Sequence, residues 1–276
     1  MGNVPVNISV RTQDYQKSSA FAAMSIAFAR ATVLEGVFSH YQPNSLTSQI
    51  NTEAAHTCVP LSKEYERLLL QALHLSRETN GAFDISFPSS NKRANYHDLN
   101  WDKHKHCIQF SKPGMKLDVS SLAKGIIVDE ISRILSKKGF RHHLVNAGGD
   151  LYASGKWEVT LRNPAEQTDK TWKTKSKLNS PVDHVILCTL KKRPDVLKNF
   201  SCEAITEIPT FTLKNEALAT SGDYERGRHI FNPQTDKPVA NNIRSISVIA
   251  PNTMTANGWS TAFFVSNPLV FTPTSR

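Results

Sequence analysis

The sequence predicts an α+β fold, and three observations carry that reading. Residues 63–79 set Tyr65, Leu68, Leu69, Ala72 and Leu73 along one apolar stripe, and residues 122–138 set Ile127, Ile131, Ile134 and Leu135 along another. Short strand-like pieces follow at 144–145, 151–152, 157–161, 185–190, 211–213 and 243–249, several with turn signals between them. Helical patterns followed by runs of strands are the mark of segregated helices and sheets rather than a regular βαβ order.

The elements follow in chain order. Val6, Ile8 and Val10 alternate as an amphipathic strand would. Residues 20–29 (AFAAMSIAFA) are an uncharged stretch of ten, preceded by Arg11 and Lys17 and closed by an A-x-A, so they could pass for a signal peptide. Nineteen residues precede them, however, and Phe21, Met24, Phe28, Ala31 and Leu34 keep helical spacing up to a stop at Gly36. A strand followed by a helix of the folded unit is therefore expected. The helix at 63–79 has Ser62 to cap it and Asn80-Gly81 to end it. The helix at 122–138 has Ser120 or Ser121 as cap and ends in Lys137, Lys138 and Gly139. Residues 165–207 carry Lys170, Lys173, Lys175, Lys177, Lys191, Lys192, Arg193 and Lys198, and read as a surface excursion interrupted by one strand.

The chain has 276 residues, 39% of them hydrophobic, which suits one large domain over residues 1–276. With 21% charged residues, 12 Gly, 14 Pro and no apolar run near about 18 residues, it is not disordered, collagenous or membrane-spanning. A net charge of +9 draws anions, so phosphorylated ligands and nucleic acids are both admissible. Cys58, Cys107, Cys188 and Cys202 are far apart, fit no C-x-x-C or zinc pattern, and read as free thiols. The compartment is either the cytoplasm or, for a protein whose export signal is absent from this chain, the periplasm or a membrane surface.

Three segments hold more Gly, Asp, Ser and Thr than packing requires. Residues 80–84 (NGAFD) leave a helix with a carboxylate beside an aromatic ring, although a helix stop before a core Phe explains them equally. Residues 117–125 (LDVSSLAKG) with 146–150 (NAGGD) bring Asp118, two serines and Lys124 to a helix start, which suits a phosphate, or is simply a capped helix with a solvated lysine. The spacing is not that of a P-loop. In the C-terminal third, 219–224 (ATSGDY), 229–238 (HIFNPQTDKP) and 255–265 (TANGWSTAFFV) stand out. Asn257 and Thr261 are four apart, so a helix turns both side-chain oxygens one way, as a hard cation needs or as ordinary polar positions near a helix start allow.

Taken together these segments resemble the FAD:protein FMN transferase family, known as ApbE, across nearly the whole chain. Met1-Gly2-Asn3 is similar to the family's opening Met-Gly-Thr. Residues 39–51, from Ser39-His40-Tyr41 to Asn51, resemble a family stretch with an aromatic, a Ser and an Asn, with Leu46 where an acidic residue is common. Residues 81–84 match G-A-F-D, 118–129 resemble D-L-G-G-I-A-K-G-Y-x-x-D with Ser120 and Ser121 for the glycines, and 148–150 match G-G-D. Residues 219–224 match A-T-S-G-D-Y, 229–238 resemble H-I-I-D-P-x-T-G-x-P with Asn232 for Asp and Asp236 for Gly, and 256–262 resemble A-D-A-L-A-T-A with Asn257 for Asp.

The resemblance implies an ApbE-like domain of mixed and antiparallel sheets with helices around a T-fold-related core. It implies an enzyme that cleaves the pyrophosphate of FAD, releases AMP, and joins FMN through a phosphoester to a Thr or Ser hydroxyl of an acceptor flavoprotein with the help of Mg2+. Met1, Tyr41, Ala82, Phe83, Asp84, Asp118, Lys124 and Ile230 would line the FAD site. Asn257, Thr261 and the backbone oxygens of Ser121 and Ser260 would hold the metal. His229 and Asp118 would handle protons, with His229 equally readable as a structural imidazole. Phosphoryl transfer is mostly positioning and charge neutralisation, so the exchange of Asp for Asn at 257 removes charge where it matters and should weaken a metal site. Asn232 repeats the exchange nearby. An active transferase with a weakened or rearranged metal site and a diverged FAD-binding protein without transfer both remain open. A protein that uses its lysines on nucleic acid or an acidic partner is a third class, with no nucleic-acid-binding motif to support it.

Overall fold

Hydrophobic alternation and two glycines account for the centre of the molecule. The computed structural model describes residues 4–161, 184–193, 195–205, 209–223 and 229–267. Within them the order is β1 (Val6–Val10), α1 (Lys17–Phe38), α2 (Leu46–Glu53), β2 (Val59–Pro60), α3 (Lys63–Glu78), β3 (Leu99–Asp102), β4 (Cys107–Phe110) and α4 (Ser120–Lys137). Then follow β5 (His143–Ala147), β6 (Asp150–Thr160), β7 (His184–Leu190), β8 (Phe200–Ile205), β9 (Thr210–Gly222), β10 (Phe231–Asn232), β11 (Lys237–Pro238), β12 (Ile243–Ala250) and α5 (Thr253–Ser266). A seven-stranded sheet has the order β1-β5-β6-β9-β12-β7-β8, with β12 and β7 parallel and the other neighbours antiparallel. A three-stranded sheet, β2-β4-β3, and the β10-β11 hairpin complete it. The fold is α+β, as expected.

One sheet face is covered by α4 and α5, and Ala217, Ala219, Ile246 and Val248 are fully buried beneath them. The residues between them in the strands point the other way, where Leu151, Ala153, Leu213 and Leu218 form a smaller cluster. The β5–β6 turn has two residues, Gly148 and Gly149, both at positive φ (60° and 96°), the geometry of a tight hairpin that few side chains tolerate. That turn delivers Asp150 to the first position of β6. The glycines of NAGGD therefore serve the hairpin, and the acid beyond them serves the site.

Helices α4 and α5 approach very closely. A Cβ on Gly125 would lie 2.6 Å from Cα of Met254, so only glycine fits there. Asp129 of α4, half-buried, accepts the N–H groups of Thr253 at 2.7 Å and Met254 at 3.1 Å and so caps α5, alongside the Asn252 side chain on Thr255 N. Burial pushes the Asp129 carboxyl up, against the pull of those hydrogen bonds.

Several sequence expectations need correction. In α1 the expected stripe of Phe21, Met24, Phe28, Ala31 and Leu34 is mostly not the buried one. Ala20, Ala23, Ala27, Leu34 and Phe38 face inward, while Phe21 (67%) and Phe28 (42%) are exposed. Small side chains allow α1 to lie close on α4, where Arg30 pairs with Glu64 and with Glu130 at 3.5 Å. The helix also runs past Gly36 to Phe38, and the stretch Asp14–Phe38 is long and apolar enough to cross a membrane by length and composition. Helix α4 starts at Ser120, so neither serine caps it, and the side chain of Asp118 accepts Ser120 N at 2.8 Å instead.

The four cysteines are not free thiols: Cys58 is bonded to Cys107 and Cys188 to Cys202. Nor is 165–207 a mere surface excursion. Its described parts supply β7 and β8 to the main sheet, with Ile186 and Cys188 fully buried, although Lys191, Lys192, Arg193 and Lys198 are exposed. Phe200 of β8 packs against Trp259 and Phe263 of α5 with ring centroids 4.8 and 5.2 Å apart, and burial of rings that size stabilises by about 1.5–3 kcal/mol each. Lys170, Lys173, Lys175 and Lys177 lie outside the described residues. The pieces at 151–152 and 157–161 are one strand, β6, with a register shift between Ala153 and Lys156.

Candidate active site

A cleft of about 700 Å³ opens where α1, α4, α5 and the loop after α3 meet. Its walls include Tyr41, Ala82, Phe83, Asp84, Asp118, Ser121, Lys124, His229, Ile230, Asn257 and Thr261. Segments 220 residues apart in the sequence, those of Tyr41 and Thr261, thus line one cleft. Ser260 is fully buried behind them, and Met1 lies outside the described residues. Tyr41 stands at the rim, 78% exposed, its ring 3.9 Å from that of His40.

Local folding fixes the floor. After α3, Asn80 and Gly81 take positive φ and reverse the chain, and the Thr79 hydroxyl accepts Phe83 N at 3.0 Å. Asp84, 7% exposed, accepts Ser86 N (2.8 Å), Ser86 Oγ (2.7 Å) and Tyr96 N (2.9 Å). Burial pushes its carboxyl up, while those donors oppose the rise. Asp84 thus braces the loop of the cleft wall. The strand-like approach to Asp118 is clamped by Asn51, whose amide donates to Leu117 O at 2.9 Å and accepts Leu117 N at 2.6 Å.

Asp118 faces His40, Nδ1 to Oδ1 3.4 Å. Burial works against the Asp118 carboxylate, yet the hydrogen bonds from His40 and Ser120 outweigh it and hold the group below its ordinary range. The same hydrogen bond raises the His40 imidazole, against its own burial. A carboxylate and an imidazole in contact at the cleft are groups that can hold and exchange a proton. His40 was not singled out by the sequence, because a histidine beside a tyrosine carries no spacing signal. Phe87 and Phe231 were also unmarked; their rings are nearly parallel (19°) with centroids 6.5 Å apart on the cleft wall. His229, exposed, also lines the cleft.

Lys124 is neither simply solvated nor alone. Its ammonium pairs with Asp150 Oδ2, and the Asn257 amide donates to the same oxygen. Asn257 and Thr261 do share a face of α5. Thr261 Oγ1 lies 3.1 Å from Asn257 O and 3.3 Å from Ser221 Oγ, and Ser260 Oγ lies 2.9 Å from both Asn257 O and Ser221 Oγ. Magnesium ordinarily takes one or two carboxylates together with substrate phosphates. Here the carboxylate that reaches Asn257 carries an ammonium, and the other side-chain donors are neutral. As a donor set for a divalent cation these residues do not fit.

Comparison with known proteins accords with this convergence. A sequence profile described as the ApbE family matches residues 3–92, 87–185 and 191–269. The FAD:protein FMN transferase of Buchnera aphidicola is 24% identical over 265 residues, covering 84% of this chain and 69% of the relative. That of Haemophilus influenzae is 25% identical over 268 residues, covering 82% and 67%. The fold is shared with the flavin transferase ApbE from Vibrio cholerae, with a TM-score of 0.70 at 18% identity over 95% of this chain and 83% of the other. It is shared too with the ApbE protein from Thermotoga maritima, with a TM-score of 0.69 at 23% identity, covering 94% and 82%. With its fold, its cleft residues and the matched profile in agreement, the chain belongs to the ApbE family.

Proposed function

We propose that this protein is an FAD:protein FMN transferase in which residues 1–276 act as one domain. The observation that supports it most is the convergence on one cleft of Ala82, Phe83, Asp118, Lys124, His229 and Ile230, from three separate sequence motifs. The curated relatives named above carry that activity in their names. In the reaction, a Thr or Ser hydroxyl of the acceptor flavoprotein attacks the FMN-side phosphorus of FAD. The new P–O bond forms as the bond to the bridging oxygen breaks, and AMP leaves with that oxygen. The hydroxyl proton passes to the Asp118–His40 pair or to His229. Lys124 offers its ammonium to the phosphates, and Phe87 and Phe231 offer apolar faces to a flat ring.

Two disulfides argue for work in an oxidising compartment, outside the cytoplasm. Asn257 in place of an acid favours a second reading, a protein that binds FAD without transferring FMN. One assay separates them. Incubation with FAD and an acceptor that bears a target Thr should add the mass of FMN less one water to the acceptor and release AMP in equal amount. FAD binding with neither product supports the second reading, and no binding of FAD contradicts both.

A further inference from the structure

Three polar side chains from three elements meet on one oxygen atom. Lys124 of α4 and Asn257 of α5 both donate to Oδ2 of Asp150, at the start of β6. Asp150 is 1% exposed and Asn257 4%, so both are effectively removed from water, while Lys124 stays partly open to the cleft. A carboxylate at 257 would face Asp150 within hydrogen-bond distance. Two acids so placed in a buried site stay ionised together only with a cation between them. The asparagine amide turns that repulsion into a hydrogen bond. Lys124, Asp150 and Asn257 then sum to zero charge, whereas an acid at 257 would leave the cluster at −1 and open to a metal ion.

The remaining oxygens next to Asn257 strengthen the contrast. The hydroxyls of Ser221, Ser260 and Thr261 satisfy one another and Asn257 O, and all are neutral. The acids on the cleft wall are Glu35 of α1, Asp84, which is occupied by Ser86 and Tyr96, and Asp118, which is occupied by His40 and Ser120; the hydrogen bonds of Asn257 and Thr261 named above involve none of the three. Mg2+ gives up its water reluctantly and asks for charged oxygens in return. Resting on the transferase reading above, we infer that the Lys124 ammonium, held by Asp150, whose Oδ2 Asn257 also engages, supplies the positive charge opposite the phosphates. On this basis the chain takes up FAD without a divalent metal.

Titration of the wild-type protein with FAD, followed by flavin fluorescence quenching in excess EDTA and again in excess Mg2+, tests this directly. The melting temperature with Mg2+ alone accompanies it. The expected change in FAD affinity is below about twofold, with no shift in melting temperature. In Asn257→Asp, Mg2+ should tighten FAD about tenfold and raise the melting temperature by itself. A wild-type protein whose FAD affinity climbs about tenfold with Mg2+ overturns the inference and leaves the transferase reading standing. A folded Asn257→Asp that ignores Mg2+ overturns it as well. If FAD binds in neither condition, the transferase reading itself fails. Should Asn257→Asp not fold, the paired wild-type titrations decide alone.

Discussion

Two asparagines stand where the family has acids, and the structure gives them different weights. At position 232 the side-chain carbonyl accepts Gln234 N at 2.9 Å and shapes the β10–β11 turn, a task that Asp and Asn perform alike. Asp236, where the family has Gly, keeps a positive φ of 54° and pairs with Lys92, so the turn survives that exchange too. At position 257 the N–H donor changes the charge of a buried cluster. The neighbouring pair of His40 and Asp118 makes its own prediction. Because the Asp118 carboxylate lies below its ordinary pKa, its share of pairing stability is present above that range and fades as pH falls through the depressed value. Because His40 is raised above 6.5, its share is complete below 6.5 and fades as pH rises through the raised value. NMR titration of His40 should therefore give a pKa above 6.5 that falls in Asp118→Asn. An unchanged pKa in that variant would remove the pairing from the account.

At the scale of elements, the α4–α5 contact positions the site. Gly125 allows the close approach, Asp129 caps α5, and α5 then holds Asn257 and Thr261 toward Lys124. Asp129→Ala leaves two N–H groups without their carboxylate, so we expect a loss of about 1–3 kcal/mol in urea unfolding, with weaker FAD binding. Full stability in that variant would show the cap to be dispensable. Helices α3 and α4 were legible in the sequence because their apolar positions fall on a single face. Helix α1 was legible as a helix, but its inward face was not, since it is apolar on several sides and the face of small residues, not of large ones, packs inward. Strand β8 was missed because its pattern sits among lysines. Asp118 was legible as a site residue from its motif, whereas His40 needed the fold to bring it within reach.

For the molecule as a whole, the disulfides close loops that the hydrogen-bonded sheets already shape. Cys58–Cys107 spans 49 residues and ties the end of the α2 region to β4, while Cys188–Cys202 spans 14 and links adjacent strands β7 and β8. Cysteine spacing could not reveal this, because partners are chosen by strand register and not by sequence distance. On loop-closure entropy the longer link should stabilise more, by about 1 kcal/mol. Chemical unfolding of the Cys58→Ala/Cys107→Ala and Cys188→Ala/Cys202→Ala variants should show that order, and the reverse order would mean that native packing rather than chain entropy governs both. The cleft is the junction at which these parts converge: the loop braced by Asp84, the acid clamped by Asn51, and the lysine seated on Asp150.

The central claim is that this cleft holds a flavin dinucleotide across its whole length, ring and phosphates together. Competition of FAD, FMN and ATP for the wild-type protein, read by flavin fluorescence, addresses it most directly. The account predicts that FAD binds more tightly than either FMN or ATP, because FMN lacks the pyrophosphate and adenosine and ATP lacks the flavin ring. FAD that binds no better than FMN or ATP, or that does not bind, would contradict it.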